Sequence, residues 1–340
     1  MKTRTLAAAG REVGAVGLGC MGMSWAYTES LRDDEASVAV LRAALDLGVT
    51  FIDTADVYGD GHNETLVGRA LAGRRDEAFL ATKAGLVVDD LATKSMHRDG
   101  SPGHLRRAVE ASLRRLDVER IDLYYLHRID PQVPLEDSWG AMAELVAAGK
   151  VGRLGLSEVS AAQAATAHAI HPVAAVQSEF SLWWRSAAGQ AQPGGETGQG
   201  SGGGGFEGES GDVVGWCAAN GAVFTPFAPL GRGYLTGAIS ARTSFEDGDM
   251  RSVNPRFTPA ARAANQRILD VVAAVAKRRD ALPAQVALAW VLAQGEHIVP
   301  IPGTKQLRYL EQNAASADVE LTAQDLEELR TIPEAVGSRY

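Results

Sequence analysis

The stretch "FIDTADVYG", residues 51–59, changes character at its third residue. Two apolar residues, Phe51 and Ile52, run into Asp53, and a second carboxylate, Asp56, and a phenol, Tyr58, follow. This is the pattern of a buried strand emptying into a loop. Asp and Thr are common turn residues, so loop capping alone accounts for Asp56, which is expected to shape the turn. What the other groups do depends on what else reaches the same place.

Working outward, short apolar runs recur along the chain. They cover 12–19 ("EVGAVGLG"), 50–53, 78–83 ("AFLATK"), 121–127 ("IDLYYLH"), 151–157 ("VGRLGLS"), 174–178 ("AAVQS"), 222–229 ("AVFTPFAP") and 297–303 ("HIVPIPG"). Between them lie helical patterns with ordinary start and stop signals, among them "DEASVAVLRAALDLG", "PGHLRRAVEASLRRLDV", "PLEDSWGAMAELVAAGK" and "PAQVALAWVLAQG". Near-continuous apolar strands alternating with amphipathic helices predict an α/β protein whose parallel sheet is covered by helices. A set of eight favours closure into a (β/α)8 TIM barrel over an open, doubly wound sheet.

The bulk properties agree. At 340 residues the chain fits one barrel, and 46% hydrophobic with 22% charged residues is ordinary for a globular protein. A net charge of −9 excludes a broad basic nucleic-acid footprint. The only cysteines, Cys20 and Cys217, lack metal-ligand spacing and suit a reducing cytosol, so a cytoplasmic location is expected. The N-terminal apolar run is too short for a signal peptide, and no segment approaches the roughly 20 apolar residues of a membrane span. Residues 186–211 are Gly-rich and nearly devoid of apolar side chains, which predicts a flexible insertion in a single domain spanning 1–340, either a plain surface loop or a mobile cover over a site.

Two motifs are weaker than they look. "GLGCMG" (17–22) matches a dinucleotide fingerprint, but "MSWAYTES" follows it rather than a helix that could take a pyrophosphate. A loop that lets backbone approach a ligand closely is the better reading. His168 and His171 have no Cys or Glu partner nearby, so a metal site is not expected.

In a barrel the C-terminal strand ends share one mouth. There the second, third and fourth runs present Asp53 with Tyr58, Lys83 and His127. A lysine closing an apolar run is costly unless paired, and Asp53 on the adjacent strand is its natural partner. The lysine is expected to lower the Tyr58 pKa. Such a phenol can give a proton to a carbonyl oxygen that is becoming an alkoxide, while the histidine holds that oxygen.

With these residues in place the chain resembles the aldo-keto reductase superfamily. "FIDTADVYG", "ATKAG" and "DLYYLHRID" look like its catalytic segments. "GLSEVS" (155–160), "VQSEFSLWWR" (176–185), "FAPLGRGYLTG" (227–237) and "IPGTKQLRYLEQN" (301–313) look like its cofactor segments, in the family's order. The branch it most resembles holds auxin-induced-type proteins and pyridoxal or perakine reductase-like enzymes. The resemblance implies a (β/α)8 barrel with an N-terminal β-hairpin that reduces an aldehyde or ketone with NADPH. Tyr58 is then the general acid, Lys83 tunes it, Asp53 pairs with Lys83 beside the coenzyme, and His127 orients the carbonyl. Ser157 and Gln177 hold the carboxamide, Phe227 stacks on the nicotinamide, and Gly22 and Met23 lie beside the coenzyme. The backbone of Ala228, Pro229, Leu230, Gly231, Arg232 and Gly233 follows the pyrophosphate. Gly303 lies at the coenzyme, Thr304, Lys305 and Arg308 grip the 2′-phosphate, and Gln312 and Asn313 meet the adenine. Hydroxyl and cations at a loop–helix junction suit a phosphate. Glu158 stands where much of the superfamily has asparagine. Trp25, Tyr27, Trp183 and Trp184 are candidate walls of the substrate pocket.

Two other readings stay open at this stage. In one, Lys83 forms a Schiff base in a barrel lyase. In the other, the chain is a non-catalytic NADPH-binding regulatory subunit. The natural carbonyl and the oligomeric state have no signal in the sequence.

Overall fold

Residues 151–157 show why the strands are strands. Six of these seven residues are buried, as expected for a strand covered on both faces. The computed structural model describes residues 1–6, 10–189 and 211–339. The chain opens with an antiparallel hairpin, β1 (Thr3–Leu6) and β2 (Arg11–Gly14). Then β3 (Leu18–Gly19), α1 (Asp34–Asp46), β4 (Phe51–Asp53), α2 (His62–Leu71) and β5 (Phe79–Ala84) begin the barrel. A second hairpin, β6 (Leu86–Asp90) and β7 (Ser95–Arg98), precedes α3 (Pro102–Leu116). The alternation resumes with β8 (Ile121–Leu126), α4 (Leu135–Ala147), β9 (Val151–Ser157), α5 (Ala161–Ile170), β10 (Val173–Glu179), α6 (Val213–Ala219) and β11 (Val223–Phe227). Helices α7 (Pro259–Arg278), α8 (Pro283–Leu292), α9 (Leu307–Ala315) and α10 (Ala323–Arg330) follow. Local chemistry sets these ends. Asp33 caps α1 by accepting from the Ala36 N–H, and Ser160 and Gln163 form a capping box on α5.

The seven parallel strands run in the order β11-β10-β9-β8-β5-β4-β3, and residues 297–303 close the circle. The fold is a (β/α)8 barrel with an N-terminal hairpin. Leu6 and Val13 of that hairpin pack with Phe51, Phe79, Leu123 and Val223, plugging the end opposite the mouth. The expected strand at 12–19 divides in two, its first part pairing in the hairpin and its second in the barrel.

The expected eighth strand is present only as isolated bridges, and two prolines give the reason. Val299 and Ile301 donate to the carbonyls of Phe224 and Pro226, and Phe224 donates to His297. On the other side Pro300 and Pro302 only accept, from the N–H groups of Gly17 and Gly19, because proline has no N–H to give to β3. A side chain on Gly19 would meet the Ile301 carbonyl at 2.8 Å, and one on Gly17 the Phe51 carbonyl at 2.9 Å. These two glycines of "GLGCMG" therefore serve close strand packing. The Gly-rich insertion expected over 186–211 lies, at 190–210, outside the described residues.

Candidate active site

The ends of β4, β5 and β8 bring four expected residues together. Asp53, the last residue of β4, accepts from Lys83 Nζ at 2.5 Å through one oxygen and from Gln177 Nε2 at 2.8 Å through the other. Lys83 also donates to the Thr54 carbonyl at 2.8 Å, and its Nζ lies 3.3 Å from the Tyr58 hydroxyl. The His127 ring stands edge-on to the Tyr58 ring, centroids 5.9 Å apart. All four residues are buried, yet Asp53, Tyr58 and His127 line a cavity of about 1340 Å³ at the barrel mouth.

Burial and charge set the protonation states. Burial opposes the charge on Lys83, but Asp53 and Tyr58 outweigh it and hold the ammonium above its ordinary range. Burial also holds the Tyr58 phenol above its ordinary value, offset in part by Lys83. The expected lowering of this pKa is thus corrected: desolvation of the phenolate exceeds the attraction of the ammonium. The phenol keeps its proton at neutral pH. Burial, Arg128 and Lys83 hold His127 well below its usual value, so its imidazole is neutral there. Asp56 does more than shape a turn. Its N–H donates to the Lys83 carbonyl, and burial beside Glu64 holds its carboxyl well above the usual range.

Most of the expected cofactor residues line the same cavity. Gly22, Ser157, Gln177, Phe227, Ala228, Pro229, Leu230, Arg232, Gly233, Gly303, Thr304, Lys305, Gln312 and Asn313 do so. The loop after β11 carries positive φ at Ala228, Gly231, Arg232 and Gly233. Such a turn directs successive backbone N–H groups to one side, a cradle for an anion. Gly231 is needed because a side chain there would meet the Trp183 ring at 2.4 Å. Lys305 Nζ donates to the Thr28 carbonyl at 2.9 Å. Residues 246–251 reach across to the loop after β3, where Met250 donates to Ala26 and Asp249 and Glu246 accept from Thr28 and Ser30.

Other expectations are placed elsewhere. Met23 is buried in the core, turned inward by the 3-10 turn Met21–Met23. Arg308 stacks on Tyr309 and donates to its hydroxyl, away from the cavity wall. Trp25 and Tyr27 line the cavity, but Trp183 and Trp184 do not. Trp183 is stacked on Tyr234, centroids 4.4 Å apart, and packed against Phe257, so apolar contact draws it into the core. Trp184 lies beside the guanidinium groups of Arg256 and Arg339. His168 accepts from the Val173 N–H and packs on Trp216, and no metal-binding cluster occurs among the described residues. No helix among them is long and apolar enough to cross a membrane.

Arg339 had no signal in the sequence. Its Nη1 lies 2.7 Å from Glu158, its Nε 2.7 Å from Glu179, and its guanidinium stands 5.8 Å from the Phe227 ring centroid. Burial opposes ionisation of Glu179, but Arg339 and Arg232 hold its carboxyl down at about 2. Glu158 adopts φ +57°, a conformation that suits asparagine better than glutamate. Its carboxylate is anchored by Arg339 and by the Glu179 N–H, which compensates.

Comparison with known proteins agrees with this frame. The aldo/keto reductase family model matches residues 15–334, and the chain belongs to that family, an oxidoreductase family. It is 40% identical over 335 residues to the probable aldo-keto reductase 1 of Glycine max, covering 97% of this chain and 89% of that protein. It is 38% identical to the aldo-keto reductase yakc [NADP(+)] of Schizosaccharomyces pombe, covering 96% and 92%. Among solved structures it resembles the glycerol dehydrogenase AKR11B4 of Gluconobacter oxydans, with a TM-score of 0.82 and 29% identity over 97% of this chain and 94% of that one.

Proposed function

We propose that this aldo/keto reductase binds NADPH in the mouth cavity and reduces a small aldehyde or ketone to an alcohol, working in the cytoplasm. The observation that carries the reading is the contact chain Asp53–Lys83–Tyr58 beside a neutral His127, with Asp53, Tyr58 and His127 on the wall of one cavity and Lys83 buried behind it. At about 1340 Å³ that cavity exceeds the roughly 300–1,000 Å³ of a single-ligand pocket, leaving room for a dinucleotide and a small substrate.

The residues present fit the coenzyme. The positive-φ loop 228–233 supplies an anion cradle, with Lys305 and Thr304 beyond it for the 2′-phosphate. Phe227 offers a ring face, Ser157 and Gln177 offer polar atoms for the carboxamide, and Gln312 and Asn313 lie toward the adenine. Gly22 lies on the same wall. When bound, the reduced nicotinamide supplies hydride to the carbonyl carbon. The chain's own groups manage the oxygen. Neutral His127 donates a hydrogen bond to it and fixes its direction. Tyr58 passes its proton to the forming alkoxide. Lys83, held as an ammonium by Asp53, stabilises the phenolate left behind.

This electrostatic arrangement also weighs against the alternatives. A Schiff base needs a neutral amine, and Lys83 is a buried, paired ammonium. A subunit that only bound coenzyme would need no tuned proton donor. The test is the initial rate of NADPH oxidation with an activated aromatic aldehyde, for wild type and Tyr58→Phe in parallel. The mutant is expected to bind NADPH normally and lose roughly 10²–10⁴-fold in turnover. Unchanged turnover would show that Tyr58 is not the acid.

A further inference from the structure

The charged groups around the cavity leave two cations without an anion. Of the carboxylates on its wall, Asp53 is paired with Lys83 and Glu158 with Arg339. Of the cations, Arg232 is paired with Glu179 and Arg251 with Asp249, and the His97 ring contacts Asp89. Lys305 belongs to the phosphate end. Arg98 and Arg128 remain, and both line the cavity. Among the described residues neither has a carboxylate within ion-pair distance.

Arg128 stands on the loop that carries His127, and Arg98 reaches that loop from the second hairpin. Arg128 Nη1 donates to the His127 carbonyl at 2.6 Å and to Ser157 Oγ at 3.1 Å. Arg98, the last residue of β7, donates through Nη1 to the Ile129 carbonyl at 3.0 Å. The carboxylates nearest in sequence turn away, Asp130 to the N–H groups of Gly100 and Gln132 and Asp99 to the Ser101 N–H. Among the described residues each guanidinium thus contacts only neutral acceptors, through Nη1, and its other nitrogens have no acceptor there. The field of Arg128 is felt at His127 and Tyr58, which places its charge near the reacting oxygen. Two like charges on one half-buried wall repel, and each loses hydration without gaining a partner. In a chain of net charge −9, this local positive excess is not a reflection of composition.

We infer that the substrate of this site is a carbonyl compound carrying a carboxylate, received by Arg98 and Arg128 while its carbonyl faces Tyr58 and His127. A planar guanidinium matches a carboxylate in geometry as well as charge, and such charge-assisted hydrogen bonds are the strong ones. The inference rests on the carbonyl-reductase reading and narrows it.

The test compares matched pairs differing only in charge: 4-carboxybenzaldehyde against its methyl ester, and succinic semialdehyde against its methyl ester. Wild type is expected to prefer the acid in at least one pair by about tenfold or more in kcat/KM, mainly through KM. That preference should shrink as salt rises, a readout that needs no variant. Arg98→Gln and Arg128→Gln, which keep an N–H for the backbone carbonyl, should lower kcat/KM for the acid roughly 10–100-fold and the ester far less. Arg128→Lys should restore part of the ratio. Esters reduced as well as or better than acids in both pairs would overturn the inference and leave the reaction class standing. NADPH bound but no carbonyl reduced would overturn the reaction reading and the inference with it.

Discussion

Replacing Lys83 with methionine isolates the energetics on which the site depends. The Lys83 side chain is fully buried and that of Asp53 is 3% exposed, with the charges 2.5 Å apart. Breaking a buried pair from one side costs about 3–5 kcal/mol, because the other charge is stranded. In Lys83→Met the Asp53 carboxylate keeps only its bond from Gln177. Adding Asp53→Asn removes the stranded charge and retains an acceptor for Gln177. The double mutant should recover most of the loss, remaining about 1–3 kcal/mol below wild type for the Thr54 carbonyl that Lys83 no longer satisfies. The single mutant also carries a pH signature. Its Asp53 folded pKa rises above the unfolded value, so the folded state binds the proton more tightly. Stability from this group is present at acid pH and is lost as pH rises toward the folded pKa, by up to about 1.4 kcal/mol per unit. Urea unfolding at pH 5.5 and pH 7.5, followed by tryptophan fluorescence, measures both effects. Equal stabilities of single and double mutant at pH 7.5, with no excess pH dependence in the single, would refute the reasoning.

Three further outcomes are expected. With a neutral aldehyde, kcat/KM should be flat from about pH 7 to about pH 9, because burial keeps the Tyr58 proton and keeps His127 neutral. The alkaline loss should come only as pH passes the raised phenol value; an alkaline limb well below pH 9 in a pH–rate profile would contradict this. Lys305→Ala should raise KM for NADPH about 10–100-fold and leave NADH nearly unchanged, so an equal change for both coenzymes would remove Lys305 from the 2′-phosphate. Arg339→Met should loosen Glu158 and the backing of Phe227, raising the coenzyme KM about tenfold with a smaller change in kcat, and Arg339→Lys should restore part of it; steady-state kinetics with varied NADPH decides.

Strand positions were legible where burial on both faces demanded unbroken apolar runs, as at 151–157. The run at 297–303 looked equally strand-like, but its apolar pattern reports burial and its prolines control pairing. The hairpin at 86–98 was missed because it lies outside the barrel rhythm and is half exposed. At the site, Asp53, Lys83 and His127 could be found because polar groups that end buried strands stand out. Arg339 could not be found, since its partners come from two distant strand ends and only folding brings them together. Trp183 misled because an aromatic residue beside a loop has the same sequence signature whether it faces a ligand or the core.

The prolines that interrupt the eighth segment give the barrel a seam. On the β3 side that segment offers acceptors and no donors at Pro300 and Pro302, so the closure there is half as dense as a regular ladder. A ring with one thin joint opens at that joint first, and amide hydrogens of Gly17 and Gly19 should exchange before those of β9. The loop expected to grip the 2′-phosphate, 303–305, follows the eighth segment, and Gly22, expected beside the coenzyme, follows β3, so the two stand on either side of this joint. A molecule gripped by both acts as a rivet, so coenzyme should slow exchange selectively along the seam as well as raise overall stability.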